Sequence, residues 1–329
     1  MKIFGDKSVV ASENLRIEPV ANDIFLIRQR DPPFQFSCSD GLLIMSQEGR
    51  NSENIVLDAN IEPRYVKEII TQFGPVSHYI NTHGHLDHIA HVHAWESEGA
   101  KILAPEIEGK NLLHPHNFFK CYSFDDCLDY STIQKFTDLG KYKACQEFQP
   151  YSPGDVIKID NLNITTIPFT GHSISHVGFF LEQYGLLHIS CLGFDKSTPE
   201  GNGFGPWYGF KHCSIAQYYE DIDKAETLYL DNCQYLTSSH SYIIKEPTSM
   251  PFEYMREKIS ANRQKINFSI DKHYLSDLSI DKCAKKLLEY DLFFPKRKMK
   301  GFLKRIYRFW EFWILKNHIL YAKKKNHLK

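Results

Sequence analysis

The stretch NTHGHLDHIAHVHAW, residues 81–95, places five histidines in fifteen positions directly after SHYINT, which reads as a β-strand. If His83 and His85 keep strand geometry, their side chains point to the same side, because strand side chains alternate with period two. Two imidazoles can then share one cation. Asp87 and His88 follow once the chain has turned and reach a second position beside the first, while Gly84 lets the backbone pass close to both. His-x-His-x-Asp-His is therefore a geometry for two adjacent cations, one held by imidazoles alone and one by a carboxylate and an imidazole. The feature constrains the fold because it requires a strand that ends at a site other strand ends can also reach.

The neighbouring sequence supplies such strands. LRIEPV, DIFLIRQ, GLLIMS and NIVLDA are short apolar runs bounded by turn residues, and EPRYVKEIITQFG has helical spacing at Val66, Ile69, Ile70 and Phe73 before Gly74. A helix is expected from His88 onward and a strand at KILAP, followed by an insertion of mixed signals at about 109–150. DVIKID, NITTIPF, GFFLEQYG and LLHIS restore the strand rhythm, with a hairpin turn at EQYG. A helix at SIAQYYEDIDKAE then leads into LYLDNCQYLTSSH. Strands, helix, strands and helix again suggest an α/β protein of two similar halves packed as layers.

Thr82, His83, His85, Asp87 and His88 match, position by position, the T-H-x-H-x-D-H hallmark of the metallo-β-lactamase-fold hydrolase superfamily, which residues 15 to 245 resemble. The resemblance implies a four-layer αββα sandwich over residues 1–250, with a helical, basic C-terminal extension at 251–329. It also implies further ligands from later strand ends: His172 in FTGHSISHVGFF and His240 in YLTSSHSY. Asp58 in VLDAN and Thr82 are expected to orient the metal loop, and His176 to be structural. Asp87 is expected both to bind metal and to serve as the catalytic carboxylate. His91 and His93 read as surface or packing histidines, and His114 and His116 as loop residues within reach of the pocket.

The pattern breaks where the superfamily places a bridging aspartate, since the residue after Ser190 is Cys191. Three readings stay open: Cys191 as a ligand, Asp195 as a ligand from a shifted strand, or a buried small Cys191 and a weak second ion. Thiolate binds zinc at about 2.3 Å and loses its proton to it. Losing the aspartate argues against the iron dioxygenases of this fold, which need a two-histidine, one-carboxylate triad. Zn2+ is the expected metal, as two ions, with iron and manganese left open. Such a pair, about 3.5–4 Å apart, activates water and polarises the bond under attack.

The resemblance thus implies a hydrolase acting on a small ester, thioester or lactone. The alternatives are a non-catalytic or metal-sensing binding protein on a modified site and a nuclease. FGPWYGF, residues 204–210, places Trp207 and Tyr208 either on the pocket wall, with Tyr208 within reach of a leaving group, or in the core beside a rigid Gly-Pro turn.

Charge separates the last segment from the rest. Although the chain nets −1, the part from Lys282 on has 15 Lys/Arg against 3 Asp/Glu, leaving +12 there and −13 before it. Phe302, Ile306, Phe309, Trp310, Trp313 and Ile314 recur at helical spacing opposite basic residues, an amphipathic helix or helix pair. It is expected to dock on the acidic body, with an anionic membrane or nucleic-acid surface as the alternatives. The start MKIFGDKSVVASENL has no apolar core of signal-peptide length, and none of the eight cysteines forms a C-x-x-C pair, so a cytoplasmic location with free thiols is expected.

Overall fold

The computed structural model describes residues 9–46, 54–193, 205–240 and 243–327. Two sheets form its centre. The first contains eight strands in sequence order: β1 (Val9–Ser12), β2 (Leu15–Ala21), β3 (Ile24–Gln29), β4 (Gly41–Ile44), β5 (Asn54–Leu57), β6 (Val76–Ile80), β7 (Lys101–Pro105) and β8 (Gln149–Tyr151). Its first five strands pair antiparallel and the rest in parallel. The second sheet has five strands: β9 (Val156–Ile159), β10 (Leu162–Pro168), β11 (Val177–Leu181), β12 (Leu186–His188) and β13 (Tyr235–Thr237). The halves are thus unequal, and the larger carries most of the pairing.

Side-chain alternation explains why the sheets stack. In β3, Ile24 and Leu26 join the cluster between the sheets, while Phe25 and Ile27 face the helices. Leu42 and Ile44 of β4 repeat the inward pattern, opposite Leu162, Ile164, Phe179 and Leu181 of the second sheet. A strand covered on both faces reads as a continuous apolar run, as GLLI and NIVL do. Helices α1 (Pro63–Phe73), α2 (Leu86–Ile89) and α3 (His93–Ser97) belong to the first half, and α6 (Ile215–Asn232) links β12 to the parallel β13, completing a four-layer αββα sandwich.

The single helix expected from His88 is two short ones, α2 and α3. Asn60 Oδ1 takes the N–H of His91 at 2.7 Å and interrupts the helical ladder between them. The insertion holds α4 (Pro115–Cys121) and α5 (Tyr130–Leu139) and closes with β8. The C-terminal segment folds as α7 (Met250–Lys272), α8 (Ile280–Leu287) and one long helix, α9 (Gly301–His327), rather than a pair.

Ile306, Phe309, Trp310, Trp313 and Ile314 are buried in the cluster that also holds Phe118, Phe136 and Phe210. Inside the extension, Lys296 is buried against Glu311 and Asp291, so part of its positive charge is neutralised internally. Among the described residues, no helix is long and apolar enough to cross a membrane. All eight cysteines are free.

Candidate metal centre

The histidine loop is rigid before any cation is considered. After β5 the chain turns at Asp58, which holds a left-handed φ of 58° and is fully buried. Its Oδ1 accepts the N–H of Thr82 at 3.1 Å. Its Oδ2 accepts Thr82 Oγ1 at 2.8 Å, His88 Nδ1 at 2.9 Å, Ser239 Oγ at 2.9 Å and Ser190 Oγ at 3.1 Å. One carboxylate therefore ties together the loops after β5, β6, β12 and β13. Burial alone would raise its pKa, but the neighbouring His88 and the hydrogen bonds of His88 and His188 hold it well below the usual carboxylate range.

Amide side chains pin the rest of the loop. Asn60 Nδ2 donates to the carbonyl of Asp87 at 2.5 Å, Asn81 Nδ2 to that of His88 at 2.9 Å, and Asn111 Nδ2 to that of Gly84 at 3.2 Å. Gly84 cannot be replaced without movement, since a Cβ there would lie 2.6 Å from Asn111 Nδ2 and from the Glu108 carbonyl. Glu108 is buried and accepts from Tyr122, Ser173 and Ser175, which braces the His172 turn from below. Sequence reasoning missed Asn60, Asn81, Asn111 and Glu108. Of these, Asn60, two residues beyond Asp58 in VLDAN, and Asn81, directly before Thr82, lie within segments that could have signalled them.

Two donor sets result. His83 Nε2, His85 Nδ1 and His172 Nε2 form a triangle with sides of 3.0, 3.1 and 3.2 Å. Nitrogens bound tetrahedrally at 2.0–2.1 Å from a zinc ion lie about 3.3 Å apart, so the triangle fits a cation with little adjustment. The outer nitrogens fix two of the rings: His83 Nδ1 lies 3.0 Å from Thr82 Oγ1, and His172 Nδ1 donates to the Trp207 carbonyl at 2.9 Å. Burial first, and neighbouring imidazoles second, push His83 and His85 well below the usual histidine pKa. They are neutral at pH 7, the form that binds metal.

Asp87, His88, Cys191 and His240 form the second set, with donor atoms within 4.8 Å of one another. His88 Nε2 lies 3.0 Å from Cys191 Sγ, and His240 Nε2 lies 3.0 Å from Asp87 Oδ2. Burial opposes charge here, yet His88 and His240 draw the Cys191 thiol well below its ordinary pKa, while Cys191 and Asp87 raise His240 to about 10. A thiolate and a carboxylate facing protonated imidazoles make a charge-compensated cluster. A divalent cation can take the place of those protons. Of the three readings at this strand, the geometry places Cys191 among the donors; Asp195 lies outside the described residues.

Other expectations meet different outcomes. His176 is structural: its Nδ1 donates to the Phe169 carbonyl at 3.1 Å and its Nε2 accepts the N–H of Cys191 at 3.3 Å. His91 is buried with neither ring nitrogen paired, and His114 and His116 are exposed and absent from the cavity lining. Trp207 lines the cavity above the donors, but Tyr208 does not. Its ring packs against Tyr218 and His318, and its hydroxyl accepts from Asn262 Nδ2, so it belongs to the interface with α7 and α9. Phe210, two residues further on in this irregular segment, faces the cavity instead, together with Phe36, Phe118, Phe136 and Trp310.

No family model matches the chain, and no curated protein does. Solved structures do. A β-lactamase domain protein from Burkholderia ambifaria superposes with a TM-score of 0.63 at 14% identity, over 97% of this chain and 90% of that one. A metallo-β-lactamase family protein from Thermus thermophilus gives 0.61 at 16% identity, over 96% and 95%. A metallo-β-lactamase from Pseudomonas aeruginosa in its mono-zinc form gives 0.51 at 14%, over 76% and 98%. The first two likenesses extend through the C-terminal helices, while the third covers a smaller share of the chain. With two stacked sheets, donors gathered at their strand ends and these structural likenesses, the chain has the metallo-β-lactamase fold.

Proposed function

We propose that the protein is a metal-dependent hydrolase of a small ester, thioester or lactone, with two Zn2+ ions as its cofactor. The observation that carries the reading is the pair of abutting donor sets, one of three imidazoles and one of Asp87, His88, Cys191 and His240, at the floor of a single cavity. Bound there, the ions supply a water made acidic near neutral pH and polarise the bond it attacks. The chain's own residues do the rest. Asp87 Oδ2, 3.0 Å from His240 Nε2 and 3.6 Å from His88 Nε2, offers a carboxylate oxygen at the floor as proton acceptor. Asp58 holds His88 in the tautomer whose Nε2 faces the site. The cavity's aromatic side chains keep bulk water from the floor.

The test is metal content per chain, by elemental analysis on protein purified without chelator, for wild type and Cys191→Ser, followed by a screen of esters, thioesters and lactones. Two ions falling to one in the mutant, with turnover in the wild type, supports the reading. Metal binding without turnover of any of the three classes replaces it with a metal-sensing or binding role.

A further inference from the structure

Above the donors, a small cavity is lined almost wholly by aromatic side chains drawn from separate parts of the chain. Phe36 comes from the segment between β3 and β4, Phe118 from α4, Phe136 from α5, Trp207 and Phe210 from the 205–213 segment, and Trp310 from α9. They form one packed wall. Trp207 meets Trp310 edge-on at 5.3 Å, and Trp310 meets Phe36 at 5.2 Å and Phe136 at 5.6 Å. Among the described residues lining the cavity there is no Lys or Arg, and the one carboxylate, Asp87, is turned to His240. Two basic residues on the same segments are engaged elsewhere: Lys211 pairs with Asp126 at 2.8 Å and Arg305 with Asp129 at 2.6 Å.

We propose that this wall selects substrates whose group beside the scissile bond is uncharged and apolar, a short acyl chain or a single aryl ring, with Trp207 and Trp310 as specificity-determining residues. The proposal rests on the hydrolase reading and deepens it. An anionic group lodged against the aromatic wall, away from the floor, gives up its hydration and meets no Lys or Arg there in return. An apolar group gains from leaving water in proportion to the area it buries. The side chains that set the preference come from outside the strand ends that set the chemistry.

The test is kcat/KM on metal-loaded full-length protein for 4-nitrophenyl acetate, propionate, butyrate and benzoate, with the 4-nitrophenyl hemisuccinate as the anionic counterpart. The expected result is a rise of about 4-fold per added methylene, with the hemisuccinate at least about 10-fold below butyrate. Trp310→Ala and Trp207→Ala flatten the rise at unchanged metal content, and Trp310→Phe, which keeps an aromatic wall, preserves it. A flat series, or a charged ester turned over as well as butyrate, overturns the proposal. If no ester is turned over, the hydrolase reading fails separately, and quenching of tryptophan fluorescence decides the wall. Binding of butyranilide over succinanilate keeps the proposal, and equal or tighter binding of succinanilate overturns it.

Discussion

The floor and the roof of the cavity are built on opposite principles. The floor is polar, hydrogen-bonded and contributed by the ends of β6, β10, β12 and β13, with Asp58 as its common anchor. The roof is apolar, held by ring packing, and contributed by the β3–β4 connection, the insertion, the segment before α6 and the last helix. Changes in the floor should therefore affect metal and chemistry with modest effects on packing. Changes in the roof should affect stability and selectivity while leaving the donors in place.

The largest effect that would sharpen this contrast is expected from Asp87→Ala, which removes a donor and the proton-accepting oxygen together. Turnover should fall by about 10³-fold or more, with a circular dichroism spectrum like that of the wild type. A mutant that keeps a tenth of the activity breaks the assignment of Asp87. Next comes Ile306→Ala in the roof helix. Ile306 is fully buried in the large cluster, and its truncation should cost about 3 kcal/mol in denaturant unfolding while metal content stays the same. Loss of metal in that variant would show that floor and roof are not separable.

Asp58→Asn, which keeps the shape and removes the charge, should weaken metal affinity by about 10–100-fold as measured by competition with a chelator. The last effect concerns pH and accumulates over several units. His318 on α9 is buried beside Tyr208, and burial first, with Arg263 second, pushes its pKa down to about 3. Because the folded value lies below the unfolded one, its contribution is fully present above about pH 6.5 and is lost as pH falls toward 3. The loss is about 1.4 kcal/mol per pH unit within that window. His318→Phe should flatten that part of the acid limb of a pH-stability curve. An unchanged limb would place the acid sensitivity of the roof elsewhere.

The same division explains what the sequence made legible. Floor residues sit in short motifs because each donor needs only a strand end and a tight turn, and His83, His85, Asp87 and His88 lie within six consecutive positions. Strands β2–β5 were equally readable, as short apolar runs bounded by turn residues. The roof was not readable in this way. Helical spacing in α9 showed that Trp310 would be buried but not against what, because its partners Phe36 and Trp207 lie more than a hundred residues away. Sequence left Tyr208 open between the pocket wall and the core, because the Asn262 and His318 that draw it to the other side of its segment lie far along the chain. Asn60 and Glu108 escaped notice because they act on backbone carbonyls and hydroxyls, which leave no motif.

Asn317 of α9 donates from its Nδ2 to the carbonyls of Tyr208 and Phe210, at 3.1 and 3.0 Å, and so fastens the helix to the segment whose Trp207 carbonyl aligns His172. During synthesis every donor side chain has left the ribosome before α9 does. The segment that orients His172 is therefore fastened only when the last helix arrives, so the imidazole set and the roof reach their final form together, at the end of synthesis.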